Sequence, residues 1–201
     1  MSANSTYQKK SIRSPRRGFS LVELIVVISI FSLITGIILT RHSQFNSSLL
    51  LSNLAYEVAL SIREAQVFGL SSRQSGSTFD LGYGVHFDSL TPASYIVFAD
   101  LDRNNVYTSS GDAVLETYTL QRAHAIGNIC VTDGSGSETC VSGGSFTQLD
   151  IGFERPDPDA YITVDGVTST LYGSAKIILS APQNNSRTIR VVSTGQISVE
   201  Q

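Results

Sequence analysis

The first hydrophobic pattern in the chain is an almost unbroken apolar run from residue 19 to residue 39. A helix of these 21 residues, rising about 1.5 Å per residue, covers roughly the 30 Å hydrocarbon core of a bilayer. Glu23 is its only charged residue, and its serine and threonine hydroxyls can bond to carbonyls one turn back. The pattern predicts a transmembrane helix over residues 19–40.

Beyond this run, apolar residues recur at spacings of four and three, with Glu57, Arg63 and Glu64 between them. This spacing is typical of an amphipathic helix that packs one face on a soluble domain. We therefore predict that the helix continues over residues 41–70 and ends at Gly69 and the Ser/Gly-rich stretch after it. The apolar stripe consists of Leu51, Ala55, Val58, Ile62 and Ala65.

From residue 71 to residue 201 the pattern changes to a period of two, which is typical of half-buried strands. Clusters of Gly, Asn, Asp, Ser or Pro separate the candidate strands, and no second helical stretch is predicted. The expected fold is α+β: a long N-terminal helix whose second half packs on an antiparallel β-sheet domain. The predicted strands are 85–87, 95–99, 114–120, 149–153, 161–164, 175–179, 188–192 and 197–199.

The charges around the apolar run predict its orientation in the membrane. Five cations precede it, at Lys9, Lys10, Arg13, Arg16 and Arg17, and no acidic residue comes before Glu23. This bias predicts a cytoplasmic N-terminus and an exported C-terminal domain. Without these five cations the formal net charge falls from −3 to −8, so nucleic acid is an unlikely partner.

Glu23 distinguishes three interpretations of this N-terminus, because a carboxylate deep in a bilayer costs about 2.5–3.5 kcal/mol. A secretory signal peptide would need a small-residue cleavage site, and "TRHSQFNSS" offers none. A plain single-pass anchor leaves the carboxylate unexplained. Cleavage between Gly18 and Phe19 would create an α-amine, which is the cationic partner that Glu23 lacks.

The stretch "RRGFSLVELIVVISIFSLITGII" resembles the class III signal of type IV pilins and pseudopilins. The resemblance implies that a prepilin peptidase removes a leader, residues 1–18, by cutting after Gly18, and that Phe19 is then N-methylated. It gives Glu23 a role in assembly, where pairing with a neighbour's amine would fix the register of packed helices. The alternative for Glu23 is a carboxylate that snorkels to the lipid headgroups.

A looser resemblance covers parts of the C-terminal region. The segments "LGYGVHFD", "SYIVFADLDRNNVYTSSGDAVLETYTL" and "RTIRVVSTGQISVEQ" are similar to the GspH/FimT group of minor pseudopilins and pilins. Some proteins of that group bind DNA through arginines that follow a Gly-Arg pair. Here Gly195 is followed by Gln196, which puts DNA binding in doubt.

An acidic stretch at residues 100–105 resembles the start of a calcium loop, in which oxygen ligands alternate along a turning backbone. The EF-hand spacing fails, because the sixth residue is Asn105 and the twelfth is Gly111. The same residues are ordinary turn formers, so calcium and turn chemistry both remain open. The candidate calcium ligands are Asp100, Asp102, Asn104, Asp112 and Glu116, and no other cofactor is expected.

Cys130 and Cys140 flank nine residues rich in Gly, Ser and Asp. In an exported chain with two cysteines, a disulfide that closes this hairpin is the natural interpretation, and a pair of reduced thiols is the alternative. For catalysis the sequence offers only scattered histidines, His42, His86 and His124, so no enzyme is predicted.

Two functional hypotheses follow. The first is a minor pilin or pseudopilin of a type IV pilus or type II secretion pseudopilus in the bacterial inner membrane, reaching the periplasm or cell exterior once assembled. Its partners would be other pilins or pseudopilins, the prepilin peptidase and the inner-membrane assembly platform. The second is a membrane-tethered binding module whose loops 127–146 and 154–160 hold a secreted substrate, a surface or nucleic acid.

Overall fold

The computed structural model describes residues 18–71, 81–168, 172–182 and 185–200, and for residues 40–46 it describes the backbone alone. The chain divides into two compact units, Met1–Ser43 and Gln44–Gln201. Helix α1, Leu21–Leu70, begins in the first unit and ends in the second. The predicted helix is therefore confirmed, and the cations of the predicted leader lie outside the described residues.

The described part of the first unit is the apolar stretch of α1. Residues Leu21–Leu39 have a mean hydropathy of 2.6, and none of these side chains is buried. The Ser29 hydroxyl donates to the Ile25 carbonyl at 2.8 Å, as expected for a hydroxyl that must be satisfied in lipid. By length and composition this stretch can cross a membrane.

In the described residues ten strands follow α1, and every strand pair within the two sheets is antiparallel. Together with α1 they confirm the α+β fold. In chain order the strands are β1 Gly82–Asp88, β2 Ser94–Asp100, β3 Ala113–Thr119, β4 Ala125–Asp133, β5 Glu138–Cys140, β6 Gln148–Phe153, β7 Ala160–Val164, β8 Tyr172–Ser180, β9 Ser186–Val192 and β10 Ile197–Glu200.

The strands form two five-stranded sheets, with orders β3-β2-β1-β6-β7 and β10-β9-β8-β4-β5. Strand β4 was absent from the predicted strands, and its register explains the omission. The pairing with β8 shifts between Ile126 and Asn128, so Gly127 lies in an irregularity of the strand. Such a bulge moves the later side chains by one position and breaks the period-two pattern.

The second half of α1 and the inner faces of both sheets share one hydrophobic core. The predicted stripe is confirmed, since Leu51, Ala55, Val58, Ile62 and Ala65 are at most 1% exposed. Each large apolar side chain buried in this way contributes roughly 1.5–3 kcal/mol relative to exposure. This core stabilises the second unit and fixes which face of α1 stays outside.

Helix α1 ends at Leu70, which is the end of the predicted stretch 41–70, so Gly69 lies in its last turn and does not itself terminate the helix. Gly69 is buried, and a Cβ there would overlap the carbonyl oxygen of Phe153 on β6. Its role is to let the helix backbone approach the sheet closely. The helix ends one residue later, where the Ser71 hydroxyl donates to the Phe68 carbonyl at 3.1 Å. The Ser/Gly-rich stretch 72–80 lies outside the described residues.

Candidate functional site

The predicted cleavage point lies just outside helix α1. Gly18, Phe19 and Ser20 are non-helical and exposed, with Phe19 77% exposed. A peptidase needs such an accessible, non-helical bond. A Cβ built on Gly18 meets no atom within 4 Å, so nothing in the described chain requires glycine at this position.

Glu23 occupies the first turn of α1. Its backbone N–H donates to the Ser20 hydroxyl at 3.2 Å, which makes Ser20 the N-cap of the helix. The letters "SLVE" are a capping-box pattern, a signal that the sequence analysis overlooked. A carboxylate is also favourable near a helix N-terminus, so local helix chemistry explains part of the preference for an acid at this position.

The second half of α1 carries a second apolar stripe, which we call the outer stripe. It consists of Leu49, Tyr56, Leu60 and Val67, which are 50–68% exposed. Their spacings of seven, four and seven residues place them on one helix face. The buried residues Leu51, Val58 and Ile62 lie on the opposite face, so the outer stripe has no partner among the described residues.

The candidate calcium ligands separate into a group and an outlier. Carboxylate oxygens of Asp100, Asp102 and Asp112 lie within 4.8 Å of one another. The amide of Asn104 adjoins this group, because its Nδ2 donates to Asp102 Oδ2 at 2.9 Å. Glu116 is on strand β3 and does not belong to the group.

The loop's own N–H groups already bond to these oxygens. Asp100 Oδ1 accepts from the backbone N–H of Arg103 at 2.7 Å and of Asn104 at 3.2 Å, and Oδ2 accepts from Asn105 at 2.7 Å. Asp112 accepts from the backbone N–H groups of Leu101 and Thr108. Burial raises the pKa of Asp100, while these backbone hydrogen bonds oppose the shift. The geometry favours turn chemistry, and calcium stays a prediction.

The acidic loop folds onto the outer face of the first sheet. There Gly84 and Gly152 are cross-strand partners. A Cβ on Gly84 would lie 2.7 Å from Phe98 Cζ, and one on Gly152 would lie 2.7 Å from Asn105 Oδ1. The two glycines therefore leave the space that the Phe98 ring and the loop occupy.

A buried histidine and a buried carboxylate contact the end of this loop at Tyr107. His86 Nδ1 lies 2.7 Å from Asp150 Oδ1, which also accepts the Tyr107 N–H at 3.2 Å. The side chains of His86 and Asp150 are 8% and 1% exposed. The His86 ring also borders a cleft of about 420 Å³. The sequence analysis missed this pair, because no local pattern links residues 64 positions apart.

A larger cleft, of about 600 Å³, lies where the two sheets meet. We call it the junction cleft. Strand β7 contributes Tyr161, which is 45% exposed, and the start of β8 contributes Tyr172. Gly134 and Asp159 also line it, so the two predicted binding loops, 127–146 and 154–160, converge here.

Gln66 of α1 fixes one of these loops. Its Nε2 donates to the carbonyls of Pro158 at 2.9 Å and Gly195 at 3.0 Å, and its side chain is buried. Gly195 has a φ of 79°, and a Cβ there would overlap the Pro158 carbonyl oxygen. The positive φ and the nearby Pro158 carbonyl both require glycine at position 195.

Cys130 and Cys140 form a disulfide with a Cα–Cα distance of 4.0 Å. They are directly opposed in the β4–β5 pair, so the bond closes the predicted hairpin. Glu138 of the same hairpin forms an ion pair with Lys176 on β8. These bonds join the β5 edge to the rest of its sheet.

An apolar N-terminal helix that by length and composition can cross a membrane, an exposed Gly-Phe bond before it and an antiparallel β-domain after it are the features of a pilin-like design. Residues 13–39 match the family described as the prokaryotic N-terminal methylation motif, the signal of type IV pilins and pseudopilins. The motif supports a type IV pilin-like protein processed by prepilin peptidase, and it points to a structural role and to assembly with other pilins. Comparisons with curated proteins and with solved structures gave no match.

Proposed function

We propose that this protein is a minor pilin or pseudopilin, a structural subunit of a type IV pilus or a type II secretion pseudopilus. The observation that carries the proposal is the outer stripe of α1, considered together with the methylation motif. A stripe of four large apolar side chains facing water is unfavourable in an isolated subunit. Its spacing suits a helix of another subunit packed alongside.

Glu23 and the new N-terminus at Phe19 would set the axial position of each subunit. In a lipid-like environment, the amine of one subunit and the carboxylate of its neighbour each lose much of their desolvation penalty by pairing. A subunit at the wrong height would leave both charges unpaired. The proposed location is the bacterial inner membrane, with a cytoplasmic N-terminus and an exported second unit.

Mass spectrometry of the native protein tests the processing step. The N-terminal peptide should begin at Phe19 and carry one added methyl group. In Gly18→Ala the leader should be retained while the fold is unchanged, because the position is open in the chain. A native protein that keeps Met1 and still polymerises normally would overturn the proposal.

The assembly role of Glu23 has its own test. Glu23→Ala should be inserted and processed normally but should fail to enter filaments, because the incoming amine loses its partner. Glu57→Ala is the matched control, since it removes an exposed carboxylate from the same helix. Normal filaments from Glu23→Ala would remove the proposed pairing.

A second function, ligand binding by the second unit, is supported by the junction cleft. It is compatible with the first function, because the cleft and the outer stripe involve different residues. Two observations argue against DNA as the ligand. The chain without its leader has a formal charge of −8, and Gln196 follows Gly195 where DNA-binding members of the group that the chain resembles carry arginine.

A further inference from the structure

We propose that the junction cleft binds a neutral saccharide of one or two sugar rings. This inference rests on the second function proposed above and names its ligand class. The cleft volume of about 600 Å³ falls within the range of about 300–1,000 Å³ that is typical of small-ligand sites.

Two tyrosine side chains, one from each sheet, provide the apolar contact surface. Tyr161 is on the edge strand β7, and its cross-strand partner on β6 is Gly152. The Asn105 side chain occupies the space over Gly152, and the Tyr161 side chain is 45% exposed. Tyr172 borders the same cleft from β8. Sugars present C–H-rich faces that pack on aromatic rings, while their hydroxyls bond to polar groups at the ring edges.

Hydrogen-bonding groups line the cleft beside these rings. At one end of the free edge of β7, the Ala160 N–H donates to the Ser193 carbonyl at 2.8 Å. At the other end, the Val164 carbonyl accepts from Val167 at 2.8 Å. Backbone groups of alternate residues in a strand face the same edge. The N–H and C=O of Ile162, which lies between these two positions, therefore point outward as well.

The short length of this open edge favours a sugar over an extended peptide as the ligand. A peptide that adds to a sheet needs several consecutive residues with free edge groups. Here a single residue, Ile162, lies between two bonded positions, so an added strand has no room for a ladder. The hydroxyls of Thr168 and Thr194 supply further donors and acceptors suited to a polyhydroxylated ligand.

The charge of the cleft excludes anionic ligands. Among the described residues that line it, Asp159 carries the only carboxylate, and none is Lys, Arg or His. A phosphate, sulfate or uronic acid would face this carboxylate without a compensating cation. The expected ligand is therefore an uncharged sugar.

Saturation-transfer NMR on the full-length protein tests this proposal, in a detergent without a sugar headgroup. The probes are maltose, cellobiose, lactose and N,N′-diacetylchitobiose at millimolar concentration. At least one should show transfer to its ring protons, and Tyr161→Ala should weaken its binding about tenfold or more. Tyr161→Phe should retain binding, because it keeps the ring. Tyr56→Ala, which removes an exposed tyrosine of α1, is the matched control.

Three outcomes would overturn the proposal: no transfer to any of the four disaccharides, binding that Tyr161→Ala leaves unchanged, or binding of an uncharged tetrapeptide in place of the sugars. Near-UV circular dichroism and the Tm of Tyr161→Ala verify that this variant is folded. Failure here is distinguishable from failure of the filament proposal, because filament assembly is measured separately with Glu23→Ala.

Discussion

Helix α1 contains two stretches that bury apolar surface in different ways. In Leu21–Leu39 apolar side chains cover every face and none is buried. In residues 47–70 there are two opposite apolar faces, of which one lies in the core and the other forms the outer stripe. The first stretch therefore requires an external apolar environment on all sides, whereas the second requires a partner on one side only.

Truncating one residue on each face of the second stretch tests this difference directly. Ile62 is fully buried and Leu60 is 68% exposed. Ile62→Ala should lower the free energy of unfolding by about 2–5 kcal/mol, because it leaves a cavity in the core. Leu60→Ala should change it by less than about 0.5 kcal/mol. Denaturant unfolding of the detergent-solubilised full chain measures both.

Filament assembly should show the opposite order. Leu60→Ala should reduce incorporation of a stably folded subunit, because the outer stripe loses a contact with its neighbour. If Leu60→Ala assembles at the wild-type level, the outer stripe is not an assembly surface and the two faces of α1 differ only in burial.

The glycines of the second unit give the next largest effect. Gly69→Ala should destabilise it by about 1–3 kcal/mol, since a methyl group there meets the Phe153 backbone, which cannot move freely. Gly134→Ala is the matched control, because a Cβ at Gly134 meets nothing within 4 Å. Equal Tm values for the two variants would show that close approach of α1 to β6 is not needed.

The features predicted from sequence are those whose signal is local. The stripe from Leu51 to Ala65 repeats with the helical period, and the methylation motif is contiguous, so both could be read directly. Strand β4 was missed because the bulge at Gly127 interrupts its alternation. Gly69 was correctly placed at the end of the helix, but it was predicted to terminate the helix. Its close approach to Phe153 on β6 could not be seen in the sequence of one segment.

The sites of the second unit depend on residues far apart in the chain. His86 and Asp150 meet only because β1 pairs with β6, and Tyr161 and Tyr172 border one cleft only because the two sheets adjoin. No periodicity in one segment encodes such contacts. The N-cap at Ser20 is different, because its capping-box pattern was visible in the sequence and was overlooked.

Two loop carboxylates should give opposite pH dependences. Burial raises the pKa of Asp100 above its ordinary value of 3.8. Its contribution to stability is therefore present below pH 3.8 and is lost as the pH rises through the folded-state pKa. Burial also acts to raise the pKa of Asp165, but hydrogen bonds from Thr147 and Gln148 outweigh it and lower the pKa. Its contribution is present above pH 3.8 and is lost as the pH falls through the folded-state pKa.

Unfolding free energies of Asp100→Asn and Asp165→Asn, measured from about pH 3 to about pH 6, test these signs. Asp165→Asn should flatten the loss of stability on the acid side, by less than about 1 kcal/mol because the group is largely exposed. Asp100→Asn should remove a decrease that develops as the pH rises. Slopes identical to the wild type in both variants would contradict the two assignments.

The smallest expected effect concerns calcium at the acidic loop. Because backbone N–H groups already bond to the carboxylates of Asp100 and Asp112, we expect added Ca²⁺ to leave the Tm unchanged. The measurement is thermal unfolding of the full chain with Ca²⁺ and with a chelator. A calcium-dependent rise in Tm that Asp102→Ala abolishes would establish the metal site instead. In that case the loop's turn bonds would preorganise the ligands, and the acidic cluster would need the cation to offset its own repulsion.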